Sequence, residues 1–144
     1  MKGARILLVD DEPEIVRLLT RRLRRKGCEV TPATDSGQAL ALLAQGPFDL
    51  AIVDFMMPGM NGLELAAQCC LRRPGLKILI LTGSPVIEEI EIAGYACLRK
   101  PLENLQDLDV AIKRLFHSKT KDEADGDRRR TGEEDNCGGA TTDS

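Results

Sequence analysis

The chain has 144 residues, of which 42% are hydrophobic and 30% charged, and its net charge is −3. This composition is ordinary for a globular protein, and the length suffices for one domain with a proper core. The net charge is too small to indicate binding to nucleic acid or to a membrane surface, and no apolar run is long enough to span a membrane.

Short apolar runs alternate with helical patterns along the first 117 residues. The runs are typical of strands that are buried on both faces. These strands are predicted over 6–9, 29–33, 50–53, 77–81 and 96–99. The helices are predicted over 13–26, 35–46, 63–71, 86–92 and 104–117, with 86–92 the shortest.

Local signals mark the starts of the first two helices. Pro13 suits the first turn of a helix, and Asp11 with Glu14 three residues later resembles a capping box. Either Asp35 or Ser36 can cap the second helix through its side-chain oxygen. The first helix is therefore predicted to begin near Pro13, and the second near Asp35 or Ser36.

Five strands that alternate with helices predict an α/β fold, a doubly wound parallel sheet with helices on both faces. The flavodoxin-like strand order 2-1-3-4-5 places the first strand beside the third at a topological switch point, where such sheets bind ligands. Residues 118–144 contain no Leu, Ile, Val, Phe or Met. We therefore expect one domain over 1–117 and a disordered hydrophilic tail over 118–144, without a further output domain.

Polar side chains follow four of the predicted strands. Asp10 and Asp11 follow the first strand, Asp54 the third, Thr82 the fourth and Lys100 the fifth. Because the carboxyl ends of parallel strands share one edge of a sheet, these five side chains are expected to converge. Three carboxylates repel one another unless a divalent cation lies among them, and oxygen ligands suit Mg²⁺. With a hydroxyl and an ammonium beside them, the set suits phosphoryl transfer to an Asp nucleophile.

The motifs at this edge resemble those of a known family. The paired acids, the loop from Asp54 to Gly62, the pair Thr82-Gly83 and the pair Lys100-Pro101 resemble the receiver domain of a bacterial two-component response regulator, of the stand-alone type. The resemblance covers about residues 4–117. It implies that Asp54 accepts a phosphoryl group from the phosphohistidine of a sensor histidine kinase or a phosphotransfer protein.

The resemblance also implies a role for each residue around Asp54. Asp11 and Asp54 would bind Mg²⁺ directly together with the backbone carbonyl of Met56, and Asp10 would assist through water. Thr82 and Lys100 would contact the phosphoryl oxygens, and Thr82 would move toward the phosphate when the domain switches. Phosphorylation would then be read by an unknown downstream protein at the face of the fourth strand, fourth helix and fifth strand.

Two features depart from the family pattern. The position three residues before Lys100 usually holds Tyr or Phe in this family, and here it holds Cys97. Tyr95 lies two residues before Cys97, and in a strand its side chain points the same way. Either residue can therefore take the place of the usual aromatic. Only 17 residues separate Thr82 from Lys100, fewer than usual. The fourth helix is therefore expected to be short or distorted.

The sequence also fits hypotheses other than a phosphoacceptor. The altered segment before Lys100 also fits a receiver-like interaction module that binds its partner regardless of phosphorylation. A phosphatase of the haloacid dehalogenase type would carry a second Asp two residues after its nucleophile, where this chain has Met56, so we expect no enzyme. Arg17, Arg21 and Arg24 are either a solvated face or a docking surface for an acidic partner, and the resemblance favours the first helix as part of the kinase-docking surface.

The compartment is inferred from what the sequence lacks. No signal peptide is recognisable, which predicts a cytoplasmic protein. The five cysteines match the spacing of neither a zinc site nor a disulfide framework. Three of them lie in or beside apolar segments, where Cys behaves as a small hydrophobic residue, and this indicates a reducing compartment.

Overall fold

The structure is a computed structural model that describes residues 2–83, 90–91, 93–102 and 104–125, with side chains described as far as residue 117. Its strands are β1 (Arg5–Val9), β2 (Glu29–Ala33), β3 (Leu50–Asp54), β4 (Lys77–Thr82) and β5 (Ala96–Arg99). Its helices are α1 (Pro13–Arg25), α2 (Ser36–Gln45), α3 (Gly62–Arg72) and α4 (Gln106–Asp125). The helix predicted over 86–92 lies outside the described residues, apart from Ile90 and Glu91.

The five strands form one parallel sheet in the order β2-β1-β3-β4-β5. This confirms the predicted α/β fold and its strand order. The register pairs Val9 with Val53 and Asp54 with Leu81. The carboxyl ends of β1, β3 and β4 are therefore level with one another, and the residues that follow them share one edge of the sheet.

Alternating side chains of the strands build two cores, one on each face of the sheet. From β1, Leu7 and Val9 join the core under α2 and α3, whereas Ile6 and Leu8 join the core under α1 and α4. Every residue of β3 is buried. A strand covered on both faces is held firmly in place, so the position of its last residue, Asp54, is fixed by the surrounding sheet.

The start of α1 differs from the prediction. The N-cap of α1 is Glu12, and its side chain makes no capping hydrogen bond, so the predicted capping box of Asp11 and Glu14 is wrong. The backbone N–H of Glu12 donates instead to Asp10 Oδ1 at 2.9 Å. Pro13 does occupy the first turn, as predicted.

The next two helices have side-chain caps. Asp35 caps α2 by accepting a hydrogen bond from the backbone N–H of Gln38 at 2.7 Å, one of the two predicted alternatives. A complete capping box begins α3, in which Asn61 accepts from the N–H of Glu64 and the Glu64 carboxylate accepts from the N–H of Asn61. The sequence reading missed this box, although its Asn and Glu have the required spacing.

The last helix is longer than predicted and is tied to the first. It continues to Asp125, past the domain end expected at residue 117, through a segment of Ser, Thr, Lys, Asp, Glu and Ala, of which Lys, Glu and Ala are good helix formers. Residues 126–144 lie outside the described part of the chain. Near the start of α4, buried Asp109 accepts a hydrogen bond from Arg22 of α1 at 2.7 Å and pairs with Lys26 at 3.1 Å.

The cysteines in the described part of the chain differ in their bonding. Cys28, Cys69 and Cys97 form no disulfide, whereas Cys70 is disulfide-bonded. Burial raises the pKa of the Cys69 thiol to about 11, which keeps this side chain an uncharged core residue. The cysteines therefore indicate packing roles for the buried thiols and no particular compartment.

Gly62 provides a test of the packing beneath the site. A Cβ atom at this position would lie 2.7 Å from the Cα atom of Phe55 and 3.0 Å from the carbonyl oxygen of Asp54. Because both are backbone atoms of the β3 end, we expect Gly62→Ala to lower the free energy of unfolding by about 1–3 kcal/mol, measured by urea denaturation.

Gly37→Ala is the matched control, because Gly37 is an exposed residue of α2 whose added Cβ would approach only Asp35 Oδ1, at 3.5 Å. Alanine is a better helix former than glycine, so this variant should be as stable as the wild type or gain up to about 1 kcal/mol. Equal stability of the two variants would contradict the close packing of α3 against β3.

Candidate functional site

Lys100 lies at the carboxyl edge of the sheet among three carboxylates. Its backbone N–H donates to the carbonyl oxygen of Thr82 at 2.8 Å, which places it beside the end of β4. Its ammonium Nζ lies 2.8 Å from Glu12 Oε1, 3.2 Å from Asp10 Oδ2 and 3.4 Å from Asp54 Oδ1. The side chain of Lys100 is 15% exposed, so these contacts form in a partly desolvated place.

Asp10, Asp11 and Asp54 form a cluster of acids at this edge. One carboxylate oxygen of each lies within 4.8 Å of those of the other two. Asp10 and Asp54 are buried, whereas Asp11 is exposed. The predicted convergence of acids from the ends of β1 and β3 with Lys100 from the end of β5 is therefore present in the fold.

The cluster carries more negative charge than Lys100 offsets. Burial and the charge of Asp10 raise the pKa of Asp54 to about 6, against the lowering effect of Lys100. Burial also raises the pKa of Asp10. Burial lowers the pKa of Lys100, but its hydrogen bond with Glu12 and the charges of Asp10 and Asp54 outweigh that effect and raise the pKa overall. A further cation would relieve this imbalance.

Thr82 and Met56 complete the predicted set in different ways. Thr82 is buried at the end of β4, one residue past the partner of Asp54 in the register. The backbone N–H of Met56 donates a hydrogen bond to the carboxylate of Asp54, which lowers the pKa of Asp54. The Met56 side chain is exposed and lines an open pocket with Asp11, Asp54 and Lys100.

Glu12 is a site residue that the sequence reading left out. It makes the shortest of the three ammonium contacts of Lys100 and also lines the pocket. A signal was present, because Glu12 is the third acid in a row after β1. The acids at the start of α1 were interpreted as capping residues, so Glu12 was not predicted to belong to the site.

The two candidates for the family's aromatic position lie on the same side of β5. Tyr95 is buried in the core under α2 and α3, and Cys97 packs against that core. This agrees with the alternation expected of a strand. Burial raises the pKa of the Tyr95 phenol, as it does for the thiol of Cys97. Both side chains are therefore neutral near pH 7.

Comparison with known proteins decides the family. A model of the response regulator receiver domain matches residues 6–113. The chain belongs to this family. A receiver domain structure from Methanospirillum hungatei is 34% identical with a TM-score of 0.76, and the match covers 84% of this chain and 99% of that one. Receiver domains are regulatory phosphoacceptors of two-component signalling rather than enzymes of the ordinary kind.

Two further proteins are similar to this chain. The response regulator TrrA of Thermotoga maritima, solved in complex with Mg²⁺–BeF, is 34% identical with a TM-score of 0.71, and the match covers 80% of this chain and 99% of TrrA. The transcriptional regulatory protein TcrA of Mycobacterium tuberculosis is 33% identical over 120 residues, which are 80% of this chain and 47% of TcrA. The chain thus spans about half the length of this curated relative.

The raised pKa of Asp54 has a consequence for stability. Between its ordinary value of 3.8 and about 6, the folded receiver binds more protons at Asp54 than the unfolded chain does. The free energy of unfolding therefore falls as the pH rises through this window. At higher pH, the destabilisation caused by the buried negative charge of Asp54 stays at its full value. In EDTA at pH 7, we expect Asp54→Asn to be more stable than the wild type by about 1–3 kcal/mol, with the gain vanishing toward pH 4.

Urea denaturation from pH 4 to pH 8 measures this difference. Asp107→Asn is the control, because Asp107 is an exposed acid in the first turn of α4 and its removal relieves no burial. A gain for Asp54→Asn that stays constant with pH would contradict the assigned cause.

Proposed function

We propose that this receiver domain is a phosphoacceptor switch in which Asp54 takes a phosphoryl group from the phosphohistidine of a sensor histidine kinase or a phosphotransfer protein. The observation that carries the proposal is the ammonium of Lys100 at 3.4 Å from the Asp54 carboxylate and 3.2 Å from Asp10. A buried carboxylate beside a fixed cation is suited to accept a transferring phosphoryl group.

In the proposed transfer, an Asp54 carboxylate oxygen forms the new bond to phosphorus as the bond from phosphorus to the histidine nitrogen breaks. Lys100 offsets the negative charge of the phosphoryl oxygens, and the Thr82 hydroxyl donates to one of them. The product is an acyl phosphate on Asp54. The receiver contributes self-catalysed uptake and later hydrolysis of this group, and no other enzymatic step.

Mg²⁺ fits the acidic cluster on the chemistry of its donors. The three carboxylates lie within 4.8 Å of one another, and Lys100 alone leaves the pKa of Asp54 raised to about 6. We propose that Asp11, Asp54 and the backbone carbonyl of Met56 hold the ion, with Asp10 acting through water. Bound there, Mg²⁺ supplies positive charge that offsets the charge of the incoming phosphoryl group.

The proposed partners follow from the surfaces around this edge. Arg17, Arg21 and Arg24 of α1 line one open groove and are proposed to help dock the acidic surface of a kinase. The face of β4, β5 and the segment between them is proposed to report phosphorylation to a downstream protein. None of the helices within the described residues combines the length and apolar character that a membrane crossing needs. We place the switch in the cytoplasm, where the kinase would supply its phosphoryl group.

A second candidate is an interaction module whose binding does not depend on phosphorylation. Its support is Cys97, which stands where the family usually has the aromatic switch residue, while Tyr95 is buried in the core. A backbone NMR comparison with and without Mg²⁺ and beryllium fluoride separates the two candidates. Shifts of β4 and β5 amide signals support the switch, and signals that stay unchanged at saturation support the module.

The acceptor is tested with radiolabelled acetyl phosphate and Mg²⁺, or with a cognate kinase. We expect acid-labile label on the wild type and none on Asp54→Ala, because the nucleophile is removed. Asp49→Ala is the control, since Asp49 lies just before β3, at the opposite edge of the sheet, and should keep the label. Undiminished labelling of Asp54→Ala would refute the assignment.

The metal is tested by thermal unfolding. Mg²⁺ at about 100 times its dissociation constant should stabilise the folded wild type by about 2.7 kcal/mol, because it binds the folded state. We expect Asp11→Ala to lose most of this stabilisation. Glu14→Ala removes an exposed acid from the first turn of α1 and should retain it. Equal stabilisation of both variants would exclude Asp11 as a ligand.

A further inference from the structure

The shortest ammonium contact of Lys100 is to a residue outside the proposed transfer machinery. Glu12 Oε1 lies 2.8 Å from Nζ, whereas the oxygens of Asp10 and Asp54 lie at 3.2 and 3.4 Å. An ammonium group has three N–H donors. The three carboxylates therefore account for its full donor capacity, and a phosphoryl oxygen can bind Lys100 only if one of the three contacts gives way.

The three contacts differ in how easily they can be given up. The Asp10 side chain is fully buried and the Asp54 side chain is 4% exposed, so either carboxylate would lose a partner in a place that water hardly reaches. The Glu12 side chain is 59% exposed, so water can replace Lys100 around its carboxylate. Glu12 is thus the partner that Lys100 can leave at the lowest cost.

Within the described part of the chain, the bond from Lys100 is the only hydrogen bond that the Glu12 carboxylate makes. Glu12 is the N-cap of α1, yet its side chain makes no capping hydrogen bond. Its backbone N–H donates to Asp10 Oδ1 at 2.9 Å, which places the residue against the acidic cluster. The side chain is therefore free to reach Lys100, and it can be changed without removing a helix cap.

We propose that Glu12 is a positioning residue that holds Lys100 in the unphosphorylated protein and competes with the phosphoryl group on Asp54 for its ammonium. This inference rests on the proposed phosphoacceptor function. Glu12 would stabilise the resting state relative to the phosphorylated one, and so would set how readily the switch is turned on.

The test is the binding of beryllium fluoride, a phosphoryl mimic, at saturating Mg²⁺, measured by isothermal titration calorimetry on the full chain. Removal of the competing carboxylate in Glu12→Gln should tighten binding by about three- to fivefold, the upper part of the range expected for a partly exposed ion pair. Glu14→Gln is the matched control, because it removes the same charge from an exposed position two residues away. It should leave the affinity within twofold of the wild type.

Glu12→Asp separates contact from charge. Aspartate keeps the negative charge, but its shorter side chain draws the carboxylate back from Lys100, and at an N-cap it favours the backbone N–H groups of α1. If Glu12 acts by holding Lys100, this variant should also bind the mimic more tightly than the wild type. If Glu12 acts only as a nearby charge, the variant should match the wild type, and the positioning role is then overturned.

The remaining outcomes separate this inference from the proposed function. A wild type that binds the mimic, with Glu12→Gln within twofold of it, would overturn the inference and leave the phosphoacceptor function intact. A tightening in Glu14→Gln as large as that in Glu12→Gln would do the same. A folded wild type that does not bind beryllium fluoride with Mg²⁺ would overturn both.

Discussion

The electrostatic imbalance around Lys100 is the constraint on which the site depends. The parallel sheet brings the acids that follow β1 and β3 to one edge, and it buries Asp10 and Asp54 there. Burial raises the pKa of Asp54, and the negative charge of Asp10 adds to the effect. One ammonium, shared among three carboxylates, reduces the penalty without removing it. Binding of a cation or loss of a negative charge at this edge would therefore reduce the repulsion among the carboxylates, and either event would alter the contacts of Lys100.

The sheet supplies the rigidity that such a site needs. Asp54 ends a strand that is buried on both faces, and Gly62 lets the start of α3 approach the backbone of Phe55 and Asp54. Site residues that lie at strand ends are held more precisely than residues in the middle of long loops. The acceptor carboxylate is consequently fixed, and the exposed residues around it, such as Met56 and Glu12, are the ones that can vary in position.

Much of the fold could be predicted from the sequence because the apolar runs are short, continuous and bounded by turn residues. Those runs gave the strands, and their alternation with helical patterns gave the parallel order. The convergence of Asp10, Asp11, Asp54 and Lys100 followed from strand ends alone. What failed was local. The acids after β1 could either cap α1 or take part in the site. Their spacing alone could not show that the Glu12 side chain bonds to Lys100 and leaves α1 without a side-chain cap. The length of α4 was missed because helix propensity extends it where no core residue does.

The buried carboxylate of Asp109 has a consequence for how the chain can be divided. All the proposed phosphoacceptor residues are present by Lys100, yet α4 begins only at Gln106. A fragment that stopped between them would leave Arg22 without its counter-ion and would uncover the sheet face that α4 shields. The smallest fragment that contains the proposed reactive residues is thus shorter than the smallest fragment that can stay folded. Helix α4 is needed for the fold, although it supplies no group to the proposed reaction.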